Sequence, residues 1–190
     1  FCDKYALVEQ NKLVGVGNPE QIVLEYETRM ADNISRPKAV DNANRPGSGE
    51  FRVKKVCILN SSNQTVTSLK EGEEFSLEIL YEQKKSVEKL VCGVSINDVN
   101  DISIIGPNTQ ESKFLLMPDE LKSGDAIRAK FNNNPLSAGT YTVTIGLFNG
   151  NGINSPYDFY SKAASFKVLG RSRHGKVTTE PEWSIIKTSK

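Results

Sequence analysis

Hydroxyl, amide and aromatic side chains at alternate positions are the first chemistry this sequence offers. From Thr140 to Phe148, Tyr141, Val143, Ile145 and Leu147 alternate with Thr142, Thr144, Gly146 and Phe148. A period of two over that length predicts a strand with one buried face. Its other face is then small, flat and hydrogen-bonding, with an aromatic ring at the end. Aromatic rings stack on the C–H patches of sugars, and small polar side chains bond their hydroxyls. Thr142, Thr144, Ser95 and Asn97 are therefore candidate hydroxyl partners, and Phe148, Tyr157 and Tyr160 candidate stacking rings. Arg128 is a candidate of another kind, because a guanidinium forks onto a carboxylate or phosphate on an acidic terminal group. Solvent-facing strands also use threonine, and an arginine is commonly a solvated surface charge. A face that binds nothing stays open as an alternative.

Catalysis finds less support. A hydrolytic triad needs a histidine set against a nucleophile and a carboxylate, and the single histidine, His174, lies among Arg171, Arg173 and Lys176 in a polar connector. No His, Cys, Asp or Glu cluster has metal-ligand spacing, so no metal site is expected. Paired carboxylates of glycosidase type are set by three-dimensional separation, which leaves a glycan-processing or esterase-like enzyme as the alternative from another class. Asp98 and Asp101 flank a turn, and turn chemistry accounts for them.

The elements that must position these residues follow from composition and order. The 190 residues, 37% apolar and 25% charged, suit a globular domain with an appendage. Lys and Arg number 24 against 23 Asp and Glu, leaving +1, so there is no bulk pull toward nucleic acid or an anionic membrane. No apolar run approaches a membrane span and no signal peptide is in view. The opening Phe1 in place of Met suggests a piece of a longer protein. Three cysteines, Cys2, Cys57 and Cys92, lack C-x-x-C spacing and read as buried free thiols.

Tyr5–Val8 and Lys12–Gly17 predict a hairpin, and Asn18-Pro19-Glu20 predicts the capped start of a helix carrying Ile22, Tyr26 and Met30 on one face. The Asn-, Pro- and Gly-rich stretch from 31 to 49 predicts a linker. From residue 50 to 190, strands are expected at Phe51–Leu59, Gln64–Leu69, Phe75–Tyr81, Leu90–Asn97, Ile102–Ile105, Ala126–Phe131, Thr140–Phe148 and Ala163–Lys167, the last reached through Tyr157–Tyr160. With no convincing helix after the linker, they predict an all-β sandwich of immunoglobulin-like or jelly-roll type.

Two resemblances fit this order. The run from Cys2 to Ile22, with its Cys-Asp, two short strands and Asn18-Pro19-Glu20, resembles the end of an ABC-transporter nucleotide-binding domain. The resemblance implies that residues 1–30 are a remnant without the Walker motifs, so that ATP and Mg belong to an ATPase portion outside this chain and no cofactor is expected here. Gly106-Pro107-Asn108-Thr109, Leu136–Tyr141, the Tyr157-Asp158 loop, Phe166-Lys167-Val168 and the segment from Gly175 to Trp183 resemble the carbohydrate-binding C-terminal domain of Wzt-type subunits of O-antigen ABC exporters. That implies a cytoplasmic β-sandwich, without enzymatic activity of its own, that binds the non-reducing terminus of a lipid-linked polysaccharide and works with the exporter's membrane subunit. It also implies a homodimer that exchanges its C-terminal strand, with Val177, Trp183 and Ile185 as dimerisation residues. A purely structural dimerisation domain is the remaining alternative.

Overall fold

The computed structural model describes residues 3–9, 11–19, 21–23, 25–26, 45–121, 125–150, 155–170 and 175–178. Strands β1 (Tyr5–Glu9) and β2 (Lys12–Gly17) form the expected antiparallel hairpin. The helix begins as its residues dictate: the Asn18 side-chain oxygen accepts the Gln21 N–H at 2.9 Å, an N-cap bond, and Ile22 N–H donates to the Asn18 carbonyl at 3.1 Å. Ile22 is buried against Gly15 and Gly17 of the hairpin.

Eight further strands build two facing sheets. These are β3 (Phe51–Asn60), β4 (Ser68–Lys70), β5 (Phe75–Gln83), β6 (Val91–Asn97), β7 (Ser103–Ile105), β8 (Ala126–Phe131), β9 (Gly139–Phe148) and β10 (Pro156–Leu169). One sheet has the order β4-β10-β9-β6-β7 and the other β3-β5-β8. Apart from the short parallel pairing of β4 with β10, the neighbours run antiparallel. Between the sheets lies one hydrophobic core, the all-β sandwich that the alternation predicts.

The strand β9 sits at the centre of the larger sheet, flanked by β6 and β10, and Tyr141, Val143, Ile145 and Leu147 are all buried in the core. The Tyr141 hydroxyl donates to the Ser137 carbonyl at 2.8 Å, which fastens the turn that feeds the strand. Two details depart from the sequence reading. The short strand expected from Gln64 begins only at Ser68, where it pairs with β10. The expected Tyr157–Tyr160 approach is already strand, because β10 runs unbroken from Pro156 and absorbs its irregularity as register shifts at Pro156/Asp158 and Tyr160/Ala164.

Residues 45–49, linker-like in composition, are tied to that strand. Ser48 N–H and Gly49 N–H donate to the Pro156 and Tyr157 carbonyls, and Phe159 N–H donates to Pro46. Gly47 is required there: its φ is +131°, and a Cβ would stand 2.4 Å from the Tyr157 carbonyl oxygen. Beneath it, the carboxylate of fully buried Asp158 holds Arg52 at 2.7 Å and Arg45 at 3.1 Å and accepts the Val53 N–H at 2.8 Å.

Candidate functional site

Because one face of β6 and β9 is committed to the core, the alternate residues must share the outer face. Register pairs Val91 with Phe148, Gly93 with Gly146, Ser95 with Thr144 and Asn97 with Thr142. On one side β10 adds Phe159 and Ser161. On the other, residues 106–113 fold back along β6, with Val94 N–H bonded to the Pro107 carbonyl and Thr109 N–H to the Cys92 carbonyl. The result is a groove of about 1050 Å³ whose lining includes Gly93, Ser95, Asn97, Thr144, Phe148 and Asn108.

The glycines give the groove its floor. A Cβ at Gly146 would lie 2.3 Å from Cε2 and Cζ of Phe148, and one at Gly93 would lie 3.5 Å from Cε2. The Phe148 ring thus lies over Gly146, in the space that a side chain there would fill, with its edge in contact range of the cross-strand partner Gly93. An aromatic ring covering a glycine in a neighbouring strand position stabilises a sheet that glycine would weaken. Here the ring also presents an apolar surface to the groove.

Toward the other end the floor turns polar. The Ser95 hydroxyl donates to the Asn97 side-chain oxygen at 2.6 Å and lies 2.8 Å from the Ser103 hydroxyl, and the Asn97 amide donates to Thr144 Oγ1 at 3.3 Å. Thr144 Oγ1 also accepts the Lys162 N–H at 3.2 Å. Asp98, at the turn beyond β6, accepts the N–H groups of Ile102 and Asn100, and the Ile102 bond above all holds its carboxyl below the usual carboxylate range.

Four of the sequence candidates, Ser95, Asn97, Thr144 and Phe148, therefore meet in one groove. Thr144 is more occupied than an outward threonine would be: it is 6% exposed and its oxygen already takes two donors. Thr142 stands on the same strand face beyond the groove lining, its hydroxyl buried and without a hydrogen-bond partner.

The other candidates stand elsewhere. Arg128 lies on the opposite sheet, where register pairs it with Glu78, and its guanidinium is spent on that carboxylate at 2.6 Å and on the Asn63 side chain at 2.9 Å. Tyr157 packs on Phe51 and donates its hydroxyl to the Lys89 carbonyl, while the Tyr160 ring lies 4.1 Å beneath the Arg45 guanidinium. Val177 bridges to Leu136, with Ser137 N–H donating to the Lys176 carbonyl; Trp183, Ile185 and His174 lie outside the described residues.

Sequence reasoning missed Gly93, Asp101, Asn108 and Phe159 as lining residues. Period-two spacing from Ser95 and Asn97 back to Gly93 was the available signal for the first. For the others, only the fold brings them to β6 and β9.

Cys57 and Cys92 are buried free thiols, and no group of three or more potential metal ligands occurs among the described residues. Burial pushes the Cys92 thiol from 9.0 up to about 12. The protonated thiol is thus favoured by folding. Its contribution to stability is complete below pH 9, where the unfolded thiol is also protonated, and is lost as pH rises toward about 12. Cys92 is expected to stay unlabelled by a thiol reagent at pH 8 in the folded chain and to react fully in urea. Labelling in the folded state at the rate seen in urea would contradict this burial.

A family model described as the Wzt C-terminal domain matches residues 42–179. Among solved structures, the crystal structure of the C-terminal domain of wzt superposes with a TM-score of 0.64 at 18% identity, covering 80% of this chain and 91% of that one. A Pseudomonas fluorescens alkylpurine DNA glycosylase, AlkC, bound to DNA matches with a TM-score of 0.40 at 15% identity over 80% of this chain and 38% of that one. An immunoglobulin-like protein from Pseudomonas aeruginosa gives 0.36 at 12% identity over 65% and 100%. The last two are too dissimilar to carry an argument. No curated protein matches the chain.

Proposed function

Because the chain belongs to the Wzt C-terminal domain family, we propose that the outer-face groove binds the non-reducing terminus of a lipid-linked O-antigen polysaccharide on behalf of an ABC exporter. The observation that carries this reading is the groove floor. An apolar ring laid over Gly146, its edge against the cross-strand partner Gly93, is followed along the same strands by the Ser95, Asn97 and Thr144 side chains. A sugar offers the matching sequence of surfaces, a C–H face for the ring and hydroxyls for the polar groups. The domain binds and does not catalyse.

In this reading β1, β2 and the helix at Asn18 are the tail of the ATPase portion, and residues up to about 49 lead from it to the sandwich. The full subunit then stands at the cytoplasmic side of the inner membrane of a Gram-negative cell, against the exporter's membrane subunit. Among the described residues no helix is long and apolar enough to cross a membrane. Two such chains form a dimer in which the C-terminal segment carrying Val177, Trp183 and Ile185 is exchanged. The Val177–Leu136 pairing made within one chain is the contact a partner's strand would take over. Two grooves in one dimer strengthen weak single-sugar contacts.

The test is calorimetric titration of the chain with O-polysaccharide from its own source, intact and with the terminal non-reducing residue removed. Binding to the intact polymer alone is the expected result. Equal binding to both would move recognition to an internal repeat. Slow hydrolysis during the titration would favour the enzyme alternative, and no binding to either would leave a structural dimerisation domain.

A further inference from the structure

One end of the groove is crossed by an ion pair that the binding residues themselves hold in place. Lys162 of β10 and Asp101 of the turn after β6 meet at 2.9 Å. In the sheet order β10-β9-β6-β7, strand β9 lies between them. Their contact therefore spans the outer face over β9, at the Asn97 and Thr144 end, and Asp101 lines the groove. At the opposite end the lining runs out through Val91 and Gly150.

Both residues adopt backbone conformations that side-chain-bearing residues seldom take, with φ of +62° at Asp101 and +53° at Lys162. Each is held there. Asp101 N–H donates to the Asp98 carbonyl at 3.1 Å, within a turn whose next N–H, that of Ile102, is taken by the Asp98 carboxylate. Lys162 N–H donates to Thr144 Oγ1, which also accepts from Asn97. The side chains are about half exposed, 50% for Lys162 and 58% for Asp101. An exposed pair of this kind contributes little to stability, so the left-handed backbone at both positions is not explained by what the pair adds to folding.

We infer that the Asp101–Lys162 pair is an end-stop that makes the groove blind, so that a saccharide enters from the Phe148 end and only a chain terminus fits. This rests on the carbohydrate reading above and specifies how that site selects an end. From Gly93 to Asn97 along β6 the floor runs about 13 Å, four residues at about 3.3 Å each, room for a short terminal segment against the stop. An internal segment would have to leave through the space that the pair occupies.

The test uses the whole chain and O-polysaccharide fractionated into two pools, one with twice the mean chain length of the other. Calorimetric stoichiometry is counted per polymer chain. Asp101→Gly and Lys162→Gly remove each side chain at a position where glycine is at ease, and the exchanged pair Asp101→Lys with Lys162→Asp restores the bridge with reversed polarity. The wild type is expected to bind one site per polymer chain in both pools. Each glycine variant is expected to bind more, with about a twofold rise from the short pool to the long one. The exchanged pair is expected to return to one per chain.

Glycine variants that still saturate at one per chain in both pools would overturn the end-stop. Variants that lose all binding would overturn it too, since the pair would then be a ligand contact. Wild-type stoichiometry that scales with length would rule out end selection. Absence of any wild-type binding would instead remove the carbohydrate reading on which the stop depends.

Discussion

In a Gly146→Ala variant, affinity for the intact polysaccharide is expected to fall roughly 3- to 12-fold while the chain stays folded. The added Cβ would lie 2.3 Å from two atoms of the Phe148 ring, closer than any real contact. Phe148 is only half buried, on the outer face, so its ring swings away and the core beneath is undisturbed. What is lost is the platform. Fully covering an exposed aromatic side chain is worth about 1.5–3 kcal/mol, so covering the exposed half of this one is worth about 0.75–1.5 kcal/mol, and each 1.4 kcal/mol is a factor of ten in affinity. Phe148→Ala removes the same ring without adding an atom and is expected to fall in the same range. Calorimetry against the intact polymer, with a melting curve for each variant, separates lost binding from lost folding. Wild-type affinity in both variants would mean that the ring covers the glycines for the sheet's sake alone.

Within a single strand, sequence alternation is strong enough to read. The period of two from Tyr141 to Leu147 identified the buried face of β9, and the Asn18-Pro19 pair marked the start of the helix, because each signal is contained in a few neighbouring residues. The groove's floor was half legible for the same reason: Thr144 and Phe148 alternate with core residues on one strand, and Ser95 and Asn97 do so on another. What alternation leaves open is which sheet a strand joins. Arg128 reads as an available guanidinium until β8 is placed beside β5, where Glu78, fifty positions away in the chain, meets it directly.

The groove's walls and its closed end come from chain segments with no periodic signal. Gly106-Pro107-Asn108 reads as a turn, and nothing in those residues says that the turn folds along β6. Lys162 reaches its place only because β10 shifts register between Tyr160 and Ala164, a local irregularity that leaves the flanking pattern intact. Asp158 was the largest omission. In a stretch that reads as a loop, a carboxylate next to tyrosines looks solvated, and both of its arginine partners come from around residues 45–52, more than a hundred positions earlier. Long-range electrostatic pairing of this kind has no signature in a single sequence.

Asp158 also carries the largest expected effect on stability. An Asp158→Ala variant is expected to lose about 3–5 kcal/mol, because removing one member of a buried ion pair leaves the rest uncompensated. The carboxylate is fully buried, Arg45 is 5% exposed and Arg52 21%. Arg45 would keep the Val53 carbonyl at 3.0 Å and the Tyr160 ring but lose its counter-charge. Against a typical total of 5–15 kcal/mol that is a large share, read in urea as a lower midpoint with an unchanged slope. Replacing Arg45 by methionine in the same variant is expected to recover much of the loss, since an apolar side chain of similar length fills the site without a stranded charge, while Arg52 can turn to water. A single-variant loss below about 1 kcal/mol, or a double variant no better than the single, would mean that both arginines already find solvent when Asp158 is gone. The consequence reaches the groove: the triad clamps residues 45–49 onto β10 beside Phe159, so loosening it frees the chain leading into the sandwich from the strand that forms one side of the binding face.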